Sequence, residues 1–134
     1  MRTLLLLSAL SATFLSISAA DVDRDGALRA VNYYVEGDLA GQRQVFLPSA
    51  NLYFPNDKGE LQILPSPEFL DRVAKSTGPK AKRKLISLDV VGRLANAKIS
   101  APGANGATVT DYLSLLKLAD GWKIVAKTFS VEKP

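Results

Sequence analysis

The 134-residue sequence contains neither histidine nor cysteine. Without these side chains the protein cannot form a disulfide, a Ser-His-Asp or Cys-His catalytic group, or the usual ligand sets of zinc, haem and iron–sulfur centres. We therefore expect no metal site and no cofactor, and we assign no catalytic residue. The remaining composition is ordinary, with 47% hydrophobic and 22% charged residues, which is typical of one globular domain.

Residues 1–20 have the pattern of a secretory signal peptide. Arg2 provides a positive charge, an apolar stretch follows, and residues 18–20 (Ser-Ala-Ala) supply the small side chains that a signal peptidase requires. The apolar stretch is interrupted by Ser and Thr, so it falls short of the roughly 20 apolar residues of a transmembrane helix. The sequence predicts one mature domain over residues 21–134, a secreted or periplasmic location, and no membrane attachment after cleavage.

Basic residues outnumber acidic residues, 17 to 13, and four of them lie close together at residues 80–84 (Lys-Ala-Lys-Arg-Lys). A basic cluster can bind nucleic acid. An exported protein rarely meets nucleic acid, however, and no aromatic residue lies within this cluster. We therefore interpret residues 80–84 as a solvated loop that leads into a strand, and we expect no nucleic-acid partner.

The hydrophobic pattern predicts an α+β domain. Apolar residues at helical spacing predict a helix from residue 21 that is interrupted at Gly37, and a short second helix that Asp38 caps. A third helix has Ser66 as its predicted N-cap and Pro67 at its first position. Six segments are predicted as strands: 51–54, 60–64, 85–91, 94–101, 107–118 and 122–131. This order favours helices on one face of a curved antiparallel sheet, a cone whose mouth admits a ligand.

The last two predicted strands carry apolar residues on both faces. Leu113 and Leu115 lie on one face of the first of these strands, and Tyr112 and Leu116 lie on the other. One face must cover the helices, while the other leaves an apolar surface of a kind that monomeric proteins rarely expose. The pattern predicts a homodimer that packs through the sheet.

Four segments resemble the lumazine-binding branch of the nuclear-transport-factor-2-like (ketosteroid-isomerase-like) superfamily: 34–38 (YVEGD), 46–50 (FLPSA), 110–117 (TDYLSLLK) and 120–125 (DGWKIV). The resemblance implies a cone of three N-terminal helices packed on a curved antiparallel sheet, commonly a homodimer, with a pocket inside. Many relatives carry a histidine after the second helix that can face the cavity. Because this sequence has Leu47 at that place, that chemistry is not carried over.

We place six candidate residues around the expected pocket: Tyr34, Phe46, Phe69, Asp111, Leu113 and Trp122. Asp111 lies in a mostly apolar strand, where desolvation raises the pKa of a carboxyl group and allows it to act as an acid or a base. The alternative is a structural carboxylate paired with a lysine or arginine. Tyr34 either approaches a ligand or packs in the core. Trp122 either stacks on a flat heterocycle such as a pterin or closes the end of the core. Lys127 either flanks an acidic ligand group or extends to solvent.

The favoured hypothesis is an exported protein that binds a small apolar or aromatic ligand without turnover. One alternative is an isomerase, dehydratase or cyclase that uses Asp111 as its acid or base. The other is a dimeric interaction module whose cone is filled by its own side chains. An open pocket containing Asp111 and Tyr34 would favour the first two hypotheses, and a filled cone would favour the third.

Overall fold

The computed structural model describes residues 23–134, and the predicted signal peptide at residues 1–20 lies outside the described residues. The helices are α1 (23–35), α2 (Leu39–Val45) and α3 (Ser66–Lys75). The strands are β1 (Phe46–Pro55), β2 (Leu61–Pro65), β3 (Lys84–Val91), β4 (Leu94–Pro102), β5 (Thr108–Leu118) and β6 (Gly121–Glu132). No helix within residues 23–134 is long and apolar enough to cross a membrane.

The six strands form one sheet in the order β2-β1-β6-β5-β4-β3. Neighbouring strands are antiparallel except for β1 and β6, which are parallel. The α+β class is confirmed, but two details differ from the prediction. The sheet is mixed rather than antiparallel. Helix α3 follows the β1–β2 hairpin, as the order of the predicted segments has it, and does not join the other two helices at the N-terminus, as the family resemblance implies. The sheet is mixed because β6, the last strand, lies beside β1 and runs parallel to it.

The core lies between the helices and one face of the sheet, which we call the inner face. Helix α1 contributes buried residues at helical spacing: Ala27, Ala30, Val31 and Tyr34. On the sheet, Leu52, Leu113 and Ile99 are fully buried on the inner face. Alternate residues point to the outer face, away from the helices, as the two-residue period of a strand requires. The inner face therefore determines which side chains can meet α1.

The starts of α2 and α3 use different capping residues. Asp38 caps α2 as predicted, since its Oδ1 accepts a hydrogen bond from the Gly41 amide at 3.0 Å. The prediction that Ser66 caps α3 is wrong by one residue, because the N-cap is Pro65 and Ser66 is already helical. The Ser66 hydroxyl instead donates to the Leu47 carbonyl at 2.7 Å. It thereby ties the start of α3 to β1.

Strand β1 begins earlier than predicted, at Phe46 rather than at residue 51, and includes Pro48. Proline has no amide hydrogen to donate, so it is tolerated only where the ladder of hydrogen bonds is interrupted. The register between β1 and β6 shifts between Phe46 and Asn51, and this irregular stretch contains the proline. The early start of the strand carries Phe46 into the core beneath the helices.

Candidate functional site

Three ionisable side chains meet between the helices and the inner face of the sheet: Tyr34 from α1, Asp111 from β5 and Lys127 from β6. The Tyr34 hydroxyl donates to Asp111 Oδ2 at 2.5 Å, and Lys127 Nζ lies 3.6 Å from Asp111 Oδ1. The three residues are 1%, 2% and 5% exposed. We call them the Tyr34–Asp111–Lys127 cluster. Of the alternatives left open for Asp111, the structure shows the carboxylate paired with a lysine, and the pair lies on the inner side of the sheet.

The alternation of β5 and β6 explains why these residues meet. Asp111 lies opposite Phe129, and Leu113 lies opposite Lys127, so these four side chains occupy two adjacent rows of the inner face. Tyr34 packs against this part of the sheet from α1, where it is one of the buried residues that recur at helical spacing. Asp111 and Lys127 thus occupy two core positions of an otherwise apolar layer.

Aromatic rings surround the lysine of this cluster. Lys127 Nζ lies 4.9, 4.8 and 4.9 Å from the ring centroids of Tyr34, Phe69 and Phe129. Phe46 packs against two of these rings, with its ring centroid 6.3 Å from that of Tyr34 and 6.1 Å from that of Phe69. Each ring face attracts the ammonium through its quadrupole. The ammonium is therefore held by three rings and one carboxylate.

Arg83 covers the other side of Tyr34. Its guanidinium carbon lies 4.2 Å from the Tyr34 ring centroid, and Nη1 donates to the Tyr34 carbonyl at 3.0 Å. The expected solvated loop at residues 80–84 is therefore only partly correct, because its other members are exposed while Arg83 turns inward. Arg83 also lines a cavity of about 690 Å³ between the ends of α1 and α3 and the start of α2. Arg83 thus lies between this cavity and the cluster.

Burial shifts two of the pKa values in opposite senses. Burial raises the pKa of Tyr34 above its usual value; the charge of Asp111 raises it further and Arg83 opposes the shift. Burial lowers the pKa of Lys127 to about 8; Asp111 opposes this shift, and Arg83 adds to it. Near neutral pH, Tyr34 therefore remains a hydrogen-bond donor. Lys127 loses its proton far more readily than an exposed lysine does.

Several buried polar atoms have no hydrogen-bond partner within residues 23–134. They include Asp111 Oδ1 and both amide atoms of Gln42, which lies on the buried side of α2. The 3.6 Å separation between Lys127 and Asp111 is longer than an ordinary hydrogen bond, so the ammonium also has donors to spare. An unpaired buried polar atom costs free energy, and it commonly marks a place where a water or a ligand binds.

The sequence model of the family described as "Putative lumazine-binding" matches residues 22–130. The chain belongs to this family. The nuclear-transport-factor-2-like fold that the resemblance implies is also found in similar solved structures. No curated protein is similar in sequence to the chain.

Three solved structures illustrate the similarity of fold. A nuclear-transport-factor-2-like protein of unknown function from Shewanella baltica is 23% identical, with 83% of this chain and 94% of that chain covered and a TM-score of 0.70. One from Silicibacter pomeroyi is 21% identical, with 92% and 98% covered and a TM-score of 0.63. A ketosteroid isomerase-like protein from Erwinia carotovora atroseptica is 15% identical, with 86% and 97% covered and a TM-score of 0.57. At these identities the likeness establishes the fold alone.

Five of the six candidate residues come together in this member of the lumazine-binding family: Tyr34, Phe46, Phe69, Asp111 and Leu113. Trp122 does not join them. It pairs with Lys117 at the other end of the β5–β6 hairpin and packs on Gly26 of α1, where an added Cβ would lie 3.0 Å from the indole. Trp122 therefore closes the end of the core, which is one of its two predicted roles.

Sequence reasoning missed two residues of the cluster's surroundings. Phe129 could have been found, because it alternates with Lys127 on the strand that pairs with Asp111. The inward position of Arg83 could not be predicted, because this residue lies in an irregular segment without hydrophobic periodicity. That Tyr34, Phe46, Phe69, Asp111, Leu113 and Trp122 contact a ligand remains a prediction.

A second cavity, of about 640 Å³, lies on the outer face of the sheet. Its floor is a row of side chains that crosses β1, β6, β5 and β4: Tyr53, Thr128, Tyr112 and Lys98. This cavity is separated from the Tyr34–Asp111–Lys127 cluster by the thickness of the sheet. It is not the cone pocket that the sequence predicts.

Proposed function

We propose that this member of the lumazine-binding family is an exported protein that binds a small, flat ring compound with a polar edge inside its cone, without turning it over. The observation that carries the proposal is the pair of Asp111 Oδ1 and Lys127 Nζ. Asp111 Oδ1 is buried without a hydrogen-bond partner within residues 23–134, Lys127 Nζ lies 3.6 Å from it, and aromatic rings pack against the lysine. The pattern of residues 1–20 supports export.

The chemistry of the pair indicates the edge that a ligand must present. A ring N–H can donate to Asp111 Oδ1, and a neighbouring carbonyl oxygen can accept from Lys127 Nζ. Lumazine, pteridine-2,4-dione, offers both groups on one flat bicyclic ring. The rings of Phe46, Phe69 and Tyr34 supply faces and edges against which such a ring can stack. Hydrogen bonds at the edge of the ligand ring and aromatic stacking on its faces together favour a pterin-like ligand.

Access to the cluster requires a side chain to move. The cluster residues are closed off from solvent, and Arg83 covers Tyr34 on the side of the 690 Å³ cavity. Arg83 is held by one hydrogen bond to a carbonyl and by stacking on Tyr34, contacts that a rotamer change can release. We place the ligand route along this cavity and past Arg83.

A second candidate function, a dimeric interaction module with a filled cone, has its own supporting observation. The same closure that hides Tyr34, Asp111 and Lys127 is what a cone packed with its own side chains would show. An isomerase-type enzyme is less well supported, because no observation on residues 23–134 favours turnover over binding.

The homodimer also belongs to the proposal, and the outer face supports it. Tyr112 and Ile63 project from this face and are 43% and 55% exposed. Leu94 is an exposed large hydrophobic residue that pairs with Leu116 in the same sheet. Burying this surface against a second copy removes apolar area from water, and two-fold pairing is the commonest way to do so.

Titration of the purified protein with lumazine tests the ligand proposal. We expect saturable binding at one lumazine per chain, followed by the change in lumazine fluorescence. Asp111→Asn should weaken binding about tenfold or more, because it removes the charged acceptor, while Asp89→Asn on exposed β3 should leave binding unchanged. Absence of saturable binding to the wild-type protein would contradict the proposal and favour the interaction module.

A further inference from the structure

We infer that Lys127 is a covalent binding site, whose amine forms an imine with small aldehydes or ketones that reach the interior of the cone. This inference goes beyond the proposed function in the class of ligand. It rests on the proposed function only in requiring that the interior admit a small molecule.

The surroundings of Lys127 Nζ are those of a lysine nucleophile. Lys127 is 5% exposed and its amine lies within 5 Å of three ring centroids, so water is largely excluded from it. Three polar groups face it: Asp111 from β5, Tyr34 from α1, and Arg83 from the segment before β3. The other elements packed against it present Phe69 from α3 and Leu52 from β1, which carry no charge. A lysine desolvated in an apolar pocket next to a cation is the form in which the amine attacks carbonyl groups.

The neighbouring acid completes the chemistry. The lone pair of the neutral amine attacks the carbonyl carbon, so a C–N bond forms and the C=O π-bond breaks. One amine proton passes to the carbonyl oxygen through Asp111, which Tyr34 orients through the 2.5 Å hydrogen bond. In the resulting carbinolamine the nitrogen lone pair then forms the C=N bond as the C–O bond breaks, and the second amine proton passes through Asp111 to the leaving hydroxyl group, which departs as water. The sum is amine plus carbonyl giving imine plus water, with no change of oxidation state.

The protonation state of the Lys127 amine also favours attack on a carbonyl group. Burial lowers the pKa of Lys127 to about 8, from the ordinary 10.5. At pH 8 about half of this side chain is neutral, against roughly 0.3% of an ordinary lysine. Because only the neutral amine attacks a carbonyl, Lys127 has a large advantage over exposed lysines wherever the carbonyl compound can reach it.

Reductive trapping with acetaldehyde tests the inference. The purified wild-type protein is treated with acetaldehyde and sodium cyanoborohydride, and the ethylation of each lysine is followed by peptide mass spectrometry. Lys75 is the reference in the same sample, because it is an exposed lysine at the end of α3, away from the outer face of the sheet. We expect Lys127 to be modified about tenfold faster than Lys75, with a rate that rises with pH to a midpoint near 8. Modification of Lys127 at or below the rate of Lys75 would overturn the inference.

Two variants sharpen the test. Arg83→Gln should speed the modification of Lys127, because it removes the guanidinium that covers Tyr34. Lys127→Arg should remove the fast-reacting site and leave the slow sites unchanged. If that variant fails to fold, the comparison of Lys127 with Lys75 in the wild-type protein decides the matter without it.

The two proposals fail separately. Lumazine binding without rapid modification of Lys127 would refute the imine and leave the proposed function intact. Rapid modification without lumazine binding would support the imine and refute the pterin-like ligand.

Discussion

A lysine, an aspartate and a tyrosine in the middle of a core need a reason, because burying charge is costly. The attraction between Lys127 and Asp111 offsets only part of their desolvation, and a well-packed apolar pair is often the more stable choice. The protein instead keeps the pair 3.6 Å apart, with one carboxylate oxygen lacking a hydrogen bond within residues 23–134. Such an arrangement is expected where a function uses the groups.

The titration of Lys127 predicts how stability changes with pH. Between pH 8 and about 10.5 the unfolded chain binds a proton on this lysine that the folded chain has released. Stability therefore rises with pH across that window, by on the order of 1–3 kcal/mol. Above about pH 10.5 stability falls again, because the buried Tyr34 keeps its proton after the tyrosine of the unfolded chain has lost it.

Urea unfolding at a series of pH values measures this profile. Lys127→Met should abolish the rise, whereas Lys98→Met, on the outer face, should retain it. Profiles that coincide for the wild-type protein and Lys127→Met would show that Lys127 does not titrate as described.

The residues of the cluster differed in how far the sequence could reveal them. Tyr34 and Asp111 were predictable, because one continues a helical apolar stripe and the other interrupts an apolar strand. Lys127 stayed ambiguous, because a lysine stem can pack in a core and still reach water. Only the pairing of β5 with β6 decides that its amine meets Asp111.

At the scale of elements, close approach between helices positions Tyr34. Gly41 of α2 lies against the ring of Tyr33, the neighbour of Tyr34 on α1. A Cβ added at Gly41 would lie 2.0 Å from Tyr33 Cδ1 and 2.4 Å from Cγ. These are the near atoms of the ring rather than its flexible far end, so the helices would have to separate. Only glycine permits this packing.

Gly41→Ala should therefore destabilise the protein, although alanine is the better helix former by about 1 kcal/mol. We expect a net loss of about 1–3 kcal/mol from overpacking. Gly78→Ala is the control, since a Cβ there meets nothing within 4 Å and the change should be nearly neutral. Equal midpoints of urea unfolding for the Gly41→Ala and wild-type proteins would contradict the close packing of α1 on α2.

The sequence was sufficient for most elements and insufficient for one pairing. The β3–β4 and β5–β6 hairpins were predictable because Gly92 and Gly121 mark tight turns between apolar strands, and both adopt positive φ. The parallel pairing of β1 with β6 was not, because it joins strands from opposite ends of the domain. No local pattern specifies such a contact.

At the scale of the whole molecule, the sheet has one covered face and one open face. The open face bears Tyr112 in a row of side chains that runs from Ile63 to Lys98. If a second copy covers this face, Tyr112→Lys should convert the dimer into a monomer, because the added charge would be buried in the interface without a partner. Thr77→Lys adds the same charge to an exposed position near the helices and should leave the dimer intact.

Light scattering at high micromolar concentration measures both variants beside the wild-type protein. A wild-type protein that remains monomeric there would refute the dimer, and it would leave the outer cavity open to solvent.

The central claim is that the ligand binds inside the cone rather than on the outer face, and lysine resonances can distinguish the two. Lys127 reports on the cone, and Lys98 lines the outer cavity. Protein labelled with ¹³C at the lysine side chains is titrated with lumazine and followed by NMR, with the two resonances assigned by Lys127→Arg and Lys98→Arg. We predict that the Lys127 resonance shifts and saturates at one lumazine per chain while the Lys98 resonance stays in place. A shift of Lys98 alone, or a Lys127 resonance that lumazine leaves unchanged, would contradict the claim.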